Sequence, residues 1–182
     1  MSNELYLIAL VPHEELRDDV KSLKLEMENR FNASHALKAP AHITLQMPFR
    51  RDEAFEVTLT DGLKNFAAGQ KPFDAALDGF DAFPPRVLFL NIENHKPIAD
   101  LHAKLQDLLK GSLGLSEKEM MTRFHPHMTI ATRDLSKKMF HEAWPEFQDR
   151  DFHSGFIADR LHLLKHNGKN WELYREFLFG RA

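Results

Sequence analysis

The chain has 182 residues, which suits one domain, or one domain built of two similar lobes. Its 43% hydrophobic and 28% charged content excludes wholesale disorder and fibrous repeats, and the absence of cysteine excludes disulfides, thiolate metal ligands and a cysteine nucleophile. With 24 Lys and Arg against 27 Asp and Glu, the formal net charge of -3 argues against duplex DNA as a partner, so any nucleotide contact has to be a local site.

Leu5 to Val11 is aliphatic, ends at Pro12 and reads as a strand. It is also the longest apolar run, too short to span a membrane, and no signal peptide is expected. The lack of cysteine and of an export signal suits a cytoplasmic setting, in which the sequon Asn32-Ala33-Ser34 is a chance match. His13 to Asn32 predicts a helix, with Leu16, Val20, Leu23, Met27 and Phe31 on one face. Lys38-Ala39-Pro40 breaks the chain before a strand over Ala41 to Phe49. Phe55, Leu59, Leu63 and Phe66 mark a second helix closed by Gly69. Strands follow at Pro72 to Phe83 and Arg86 to Glu93, separated by Pro84-Pro85. Ile98, Leu101, Leu105 and Leu108 mark a third helix ending near Gly111. Phe124 to Thr132 reads as a strand. Leu135, Met139, Ala143 and Phe147 mark a fourth helix, with Pro145 a reason for it to shorten or kink. The last strands are Asp151 to Phe156, Arg160 to His166 and Trp171 to Phe179, and Asn167-Gly168 is a hairpin signal between the final two.

Strand, helix, strand, helix, strand therefore occurs twice, with a hairpin added at the end. The expected class is α+β, a single bilobal domain over residues 1–182, with lobes of about 1–84 and 85–182 sharing a cleft, their boundary near Pro84-Pro85 and the exchange of strands between them left open.

The corresponding strands of the two halves carry one tripeptide form. The first has His42-Ile43-Thr44-Leu45, and the second has His127-Met128-Thr129-Ile130, about half a chain later. Alternate side chains of a strand share a face, so each strand presents one imidazole and one hydroxyl opposite two apolar residues. If the repeat is a pseudo-twofold, two histidines and two threonines surround one point. Such a set suits phosphoryl chemistry. One imidazole takes a proton from the attacking hydroxyl or water, the other gives one to the leaving oxygen, and the threonines bind phosphate oxygens. No metal or other cofactor is needed.

Ala41-His42-Ile43-Thr44-Leu45 and Pro126-His127-Met128-Thr129-Ile130 resemble the paired His-x-Thr motifs of the two-histidine (2H) phosphoesterases, which include the bacterial 2′-5′ RNA ligase and 2′,3′-cyclic nucleotide phosphodiesterases. The resemblance implies two antiparallel sheets with outer helices and the histidines in the groove between them. It implies acid/base action on cyclic or terminal phosphates of nucleotides or RNA ends. Members of this group often carry an arginine soon after the second motif. Here Thr132 intervenes and Arg133 is the candidate, its direction left open by strand parity.

The expected site is thus His42 and His127 as catalytic residues, with Thr44, Thr129 and Arg133 on the phosphate. The near-symmetry leaves substrate orientation to decide the roles, with His127 the preferred base and His42 the acid. His125 shares the face of His127 in a supporting role, and Arg86 is a lesser phosphate candidate. Phe49 and Phe83 are read first as packing residues and second as platforms for a base. A binding module with little turnover is the alternative. A metal-dependent hydrolase using His35, His42, His125 and His127 is a third reading, weakened by the absence of a His-Glu-x-x-His motif and of carboxylates beside the histidines.

Overall fold

A computed structural model describes residues 3–181. In chain order the elements are β1 (Asn3–Leu10), α1 (Glu14–Phe31), β2 (Ile43–Asp52), α2 (Glu56–Ala68), β3 (Phe73–Phe83), β4 (Val87–Ile92), α3 (Lys96–Gly111), β5 (His127–Ala131), α4 (Lys137–Phe147), β6 (His153–Ala158), β7 (Arg160–His166) and β8 (Trp171–Leu178). The strands form two four-stranded antiparallel sheets, ordered β2-β1-β7-β8 and β5-β4-β3-β6. The fold is α+β, as expected.

The sheets do not divide the chain at Pro84-Pro85. Those prolines lie in the turn between β3 and β4, which pair with each other. β3 therefore completes the second sheet, while β7 and β8 return to complete the first. The lobes exchange strands, and a boundary at residue 84 cuts through a hairpin. The physical reason is local. A short turn makes neighbouring strands pair, and Pro without an N–H is at home there.

Amphipathic patterning sets the packing. Leu16, Val20, Leu23, Met27 and Phe31 are buried on α1, and Ile98, Leu101, Leu105 and Leu109 are buried on α3. α1 packs against β5 of the second sheet and α3 against β2 of the first, so each half's helix reaches the other half's motif strand. One continuous core results, from Tyr6, Ile8 and Leu10 through Leu90 and Met128 to Phe147. Across α3 and β2, Gln106 Nε2 donates to the buried Gln46 Oε1 at 2.9 Å. α4 continues past Pro145 to Phe147, because Pro145 lies in its last turn, where only one ladder bond is lost.

β1 explains why its sequence is apolar without alternation. Tyr6, Ile8 and Leu10 enter the main core, and Leu7, Ala9 and Val11 form a second apolar cluster with Leu164 on the opposite face. Trp171 packs against that second cluster. The β7–β8 loop closes at Asn167, whose side-chain oxygen accepts from Lys169 N and Asn170 N, with Gly168 at φ +95°. Among the described residues, no helix is long and apolar enough to cross a membrane.

Candidate active site

Each motif strand is an edge strand, and the two edges meet: β2 lies against β5. Within the sheets, Thr44 is opposite Ala9 and Thr129 is opposite Phe89. Ile43 and Leu45, like Met128 and Ile130, are fully buried, which turns the half-buried His42, Thr44, His127 and Thr129 to the other face.

Both histidines are held by the same local device. His42 donates from Nδ1 to the carbonyl oxygen of Pro40 at 2.7 Å, and His127 donates from Nδ1 to that of His125 at 2.6 Å. A carbonyl can only accept, so each Nδ1 carries the proton and each neutral ring keeps an unprotonated Nε2 that can accept one. The prolines assist. Ala39, just before Pro40, is extended at φ -134° and ψ 149°, as a residue before proline prefers. His42 consequently sits one residue ahead of β2, and β5 begins only at His127, after Pro126. Phe124, expected in that strand, instead stacks on His102 with ring centres 3.8 Å apart.

A cavity of about 240 Å³ is lined by His42, Thr44, Thr129 and Arg133, with Lys24 and Trp171 on its wall. His127 stands beside it rather than in its lining, packed against Phe83 and Phe89 with ring centres 5.1 and 4.9 Å away. Four of the five expected residues thus share one cavity, and the fifth is two residues from Thr129 on the same face.

Arg133 reaches the cavity by leaving the strand pattern. β5 ends at Ala131, and Asp134 N donates to Thr132 O at 2.7 Å, a three-residue turn centred on Arg133 at φ 57°. Asp134 then locks this exit to the loop after α1. Its Oδ2 accepts from Ser34 N and His35 N, both at 2.9 Å. Strand parity is therefore irrelevant to Arg133.

Of the other candidates, only His35 reaches the cavity. Arg86 is exposed in the β3–β4 turn, its N–H donating to Phe83 O. Phe49 is a core residue beside Tyr6. Phe83 is 40% exposed and packs against His127 and Phe89, with ring centres 5.1 and 4.5 Å away. His125 is exposed, its carbonyl holding His127 and its ring edge against His95 at 4.7 Å. His35 lines the cavity wall. Among the described residues, no three His, Asp or Glu side chains gather in a metal-binding arrangement.

The electrostatics are asymmetric. Burial pushes His42 down to about 4, helped by the positive charges of Lys24 and His127 and opposed by the Pro40 hydrogen bond. His127 is also lowered by burial, with its backbone bond opposing and His125 adding to the effect. Burial lowers His35 too, as do Arg133 and Lys38 nearby. Lys24, missed in the sequence because it reads as polar surface, is 3% exposed on the packing face of α1. Trp171 was likewise hidden, since only the return of β8 to the first sheet brings it to the cleft.

The 2′-5′ RNA ligase superfamily matches residues 12–170. The chain belongs to this superfamily. A Geobacillus kaustophilus protein that carries a provisional phosphoesterase name is 29% identical over 179 residues, covering 96% of both chains. Among solved structures, LigT of E. coli in complex with 3′-AMP superposes with a TM-score of 0.69 at 15% identity, covering 98% of this chain and 99% of that one. The protein TT0787 of Thermus thermophilus gives 0.66 at 21% identity, covering 97% and 98%. At these identities the superfamily fold is what the solved structures share with this chain.

Proposed function

We propose that this superfamily member is a phosphoesterase that opens 2′,3′-cyclic phosphates, or cleaves related 2′-5′ linkages, at nucleotides or RNA ends. The observation that carries this reading is the pair of Nδ1-anchored histidines on meeting edge strands beside a cavity lined by Thr44, Thr129 and Arg133. Membership of the superfamily supports it, as does the binding of 3′-AMP, ATP and phosphate by LigT, a protein of the same fold.

Water attacks the phosphorus of the cyclic ester. His42 takes the water proton at Nε2 as the new P–O bond forms. His127 gives a proton from Nε2 to the departing ribose oxygen as the old P–O bond breaks. One water is consumed, and the phosphate monoester and free hydroxyl are formed. Thr44, Thr129 and Arg133 hold the non-bridging oxygens, where charge is fixed before the reaction begins. This assignment reverses the order favoured by sequence alone. Burial and the Lys24 cation keep His42 neutral at rest, which is the state a base needs, and disfavour the protonated state an acid would have to hold.

The test is hydrolysis of 2′,3′-cyclic mononucleotides in excess chelator. Turnover that needs both histidines supports the reading. Binding without turnover leaves only a nucleotide-binding protein, and turnover abolished by the chelator points to a metal-dependent hydrolase.

A further inference from the structure

We propose that Lys24 is the anion anchor of this cleft, binding a non-bridging oxygen of the substrate phosphate from the α1 side. The proposal rests on the cleft being a phosphate site and adds to it a residue outside the two motifs.

Lys24 lies on the buried face of α1 between Leu23 and Met27, and only 3% of it is exposed. An ammonium has three N–H donors, and here one is used, donating to Ala39 O at 2.9 Å. Among the described residues, no carboxylate lies within ion-pair distance of it. A buried cation without a counter-ion is unfavourable unless something anionic completes it.

The fold does not demand a cation at this place. The pattern Leu23-Lys24-Met27 on α1 repeats as Leu101-His102-Leu105 on α3, and there the position holds an imidazole stacked on Phe124. His102, like Lys24, is shifted by burial alone, but an imidazole resolves this by staying neutral. Lys24 cannot do so as readily: burial brings it down only to about 8, so it keeps its charge at neutral pH.

The ammonium is also reachable. Lys24 lines the cavity that holds His42, Thr44 and Thr129, and it lines a neighbouring cavity of about 400 Å³ as well. Lys38 and Arg133 face the first cavity, with His35 held toward neutrality. Arg17 and Lys21 face the second from α1, opposed there by Asp18 and by Glu172 of β8. The first cavity therefore has three cationic side chains and no acid in its lining, which fits a small tetrahedral anion held by ammonium, guanidinium and two hydroxyls. The carbonyl that Lys24 holds belongs to Ala39, next to the Pro40 that anchors His42. An anion docked on Lys24 is thereby placed beside His42.

Sulfate is a suitable probe, because its charge is constant across neutral pH and it is not turned over. In the wild-type protein, the titration of Lys24, followed by NMR of its ε-methylene, should move upward by about one pH unit when sulfate saturates the site. Lys24→Met should fold with an unchanged or higher Tm and bind sulfate about tenfold more weakly, while Lys24→Arg should retain binding. A Lys24 titration that sulfate leaves unmoved overturns the proposal, and so does a folded Lys24→Met protein with wild-type sulfate affinity. The wild-type titration decides the matter even if the methionine variant does not fold. A protein inactive on cyclic nucleotides whose Lys24 still responds to sulfate refutes the catalytic reading alone.

Discussion

Nδ1 of His127 lies 2.6 Å from the carbonyl oxygen of His125, two residues before it, and His42 repeats this relation with Pro40 at 2.7 Å. The repeat orients two imidazoles through backbone carbonyls, and among the described residues no carboxylate is bonded to either ring. Backbone alone sets both tautomers, so the imidazoles gain no extra basicity from a buried acid. Replacing either ring removes a proton-transfer group and leaves its backbone anchor intact. His42→Ala and His127→Ala should each lower kcat for a 2′,3′-cyclic nucleotide by about 10²–10⁴-fold. The double variant should fall by much less than the product, since both rings serve one transfer. Steady-state kinetics on the three proteins settles this, and full activity in either single variant sinks the paired mechanism.

The pH profile follows from the two lowered histidines. The proposed base must be neutral, so activity rises with pH through the value of His42, near 4. The proposed acid must be protonated, so activity falls as His127 loses its proton, below the ordinary histidine value. The profile of kcat/KM, which reports the free enzyme, should be a bell centred on the acidic side of neutrality. An alkaline limb above that of free histidine contradicts the assignment.

Stability should depend on pH over a matching window. His42 and His162 are both pushed to about 4, His162 by burial at 6% exposure with no hydrogen-bond partner for its Nδ1 among the described residues. In the unfolded chain both titrate near 6.5. Between these values the unfolded state binds more protons, so the contribution of these two histidines is full above about 6.5, is lost as pH falls, and levels off below about 4, where protonation of Glu119, held down to about 2 by Arg51, takes over the loss. Thermal unfolding across this range should show the fall, and His162→Leu should reduce its slope while leaving the catalytic limbs in place.

Arg133 combines charge with a left-handed backbone. At φ 57° a side chain is disfavoured, and glycine is free of that penalty. Arg133→Gly should therefore be more stable than Arg133→Ala by about 1 kcal/mol. Both should raise KM for the cyclic substrate by about tenfold through loss of a charge-assisted phosphate contact. If KM is unchanged in both while stability differs, the arginine is a turn residue and not a phosphate ligand.

The elements and the two matching His-x-Thr motifs were legible in the residues themselves. The spacing of Leu16, Val20, Leu23, Met27 and Phe31 marks a buried helix face because a helix turns every 3.6 residues. The alternation in His42-Ile43-Thr44-Leu45 separates polar from apolar faces because a strand has a period of two. These are local rules, and they extend to the repeat and to the family resemblance.

What lay beyond them depends on which distant segments meet. The lobe boundary at Pro84-Pro85 fails because β3 follows its hairpin partner into the second sheet, and no local pattern records sheet membership. Arg133 enters the cavity through a turn held together across about a hundred residues by Asp134 and the Ser34-His35 backbone. Lys24 looks like any lysine on an amphipathic helix until the Ala39-Pro40 segment is folded against it. Periodicity determined which faces of this chain are apolar. Tertiary packing alone decided which polar groups are desolvated, and desolvation is what separates a surface charge from one that holds a ligand.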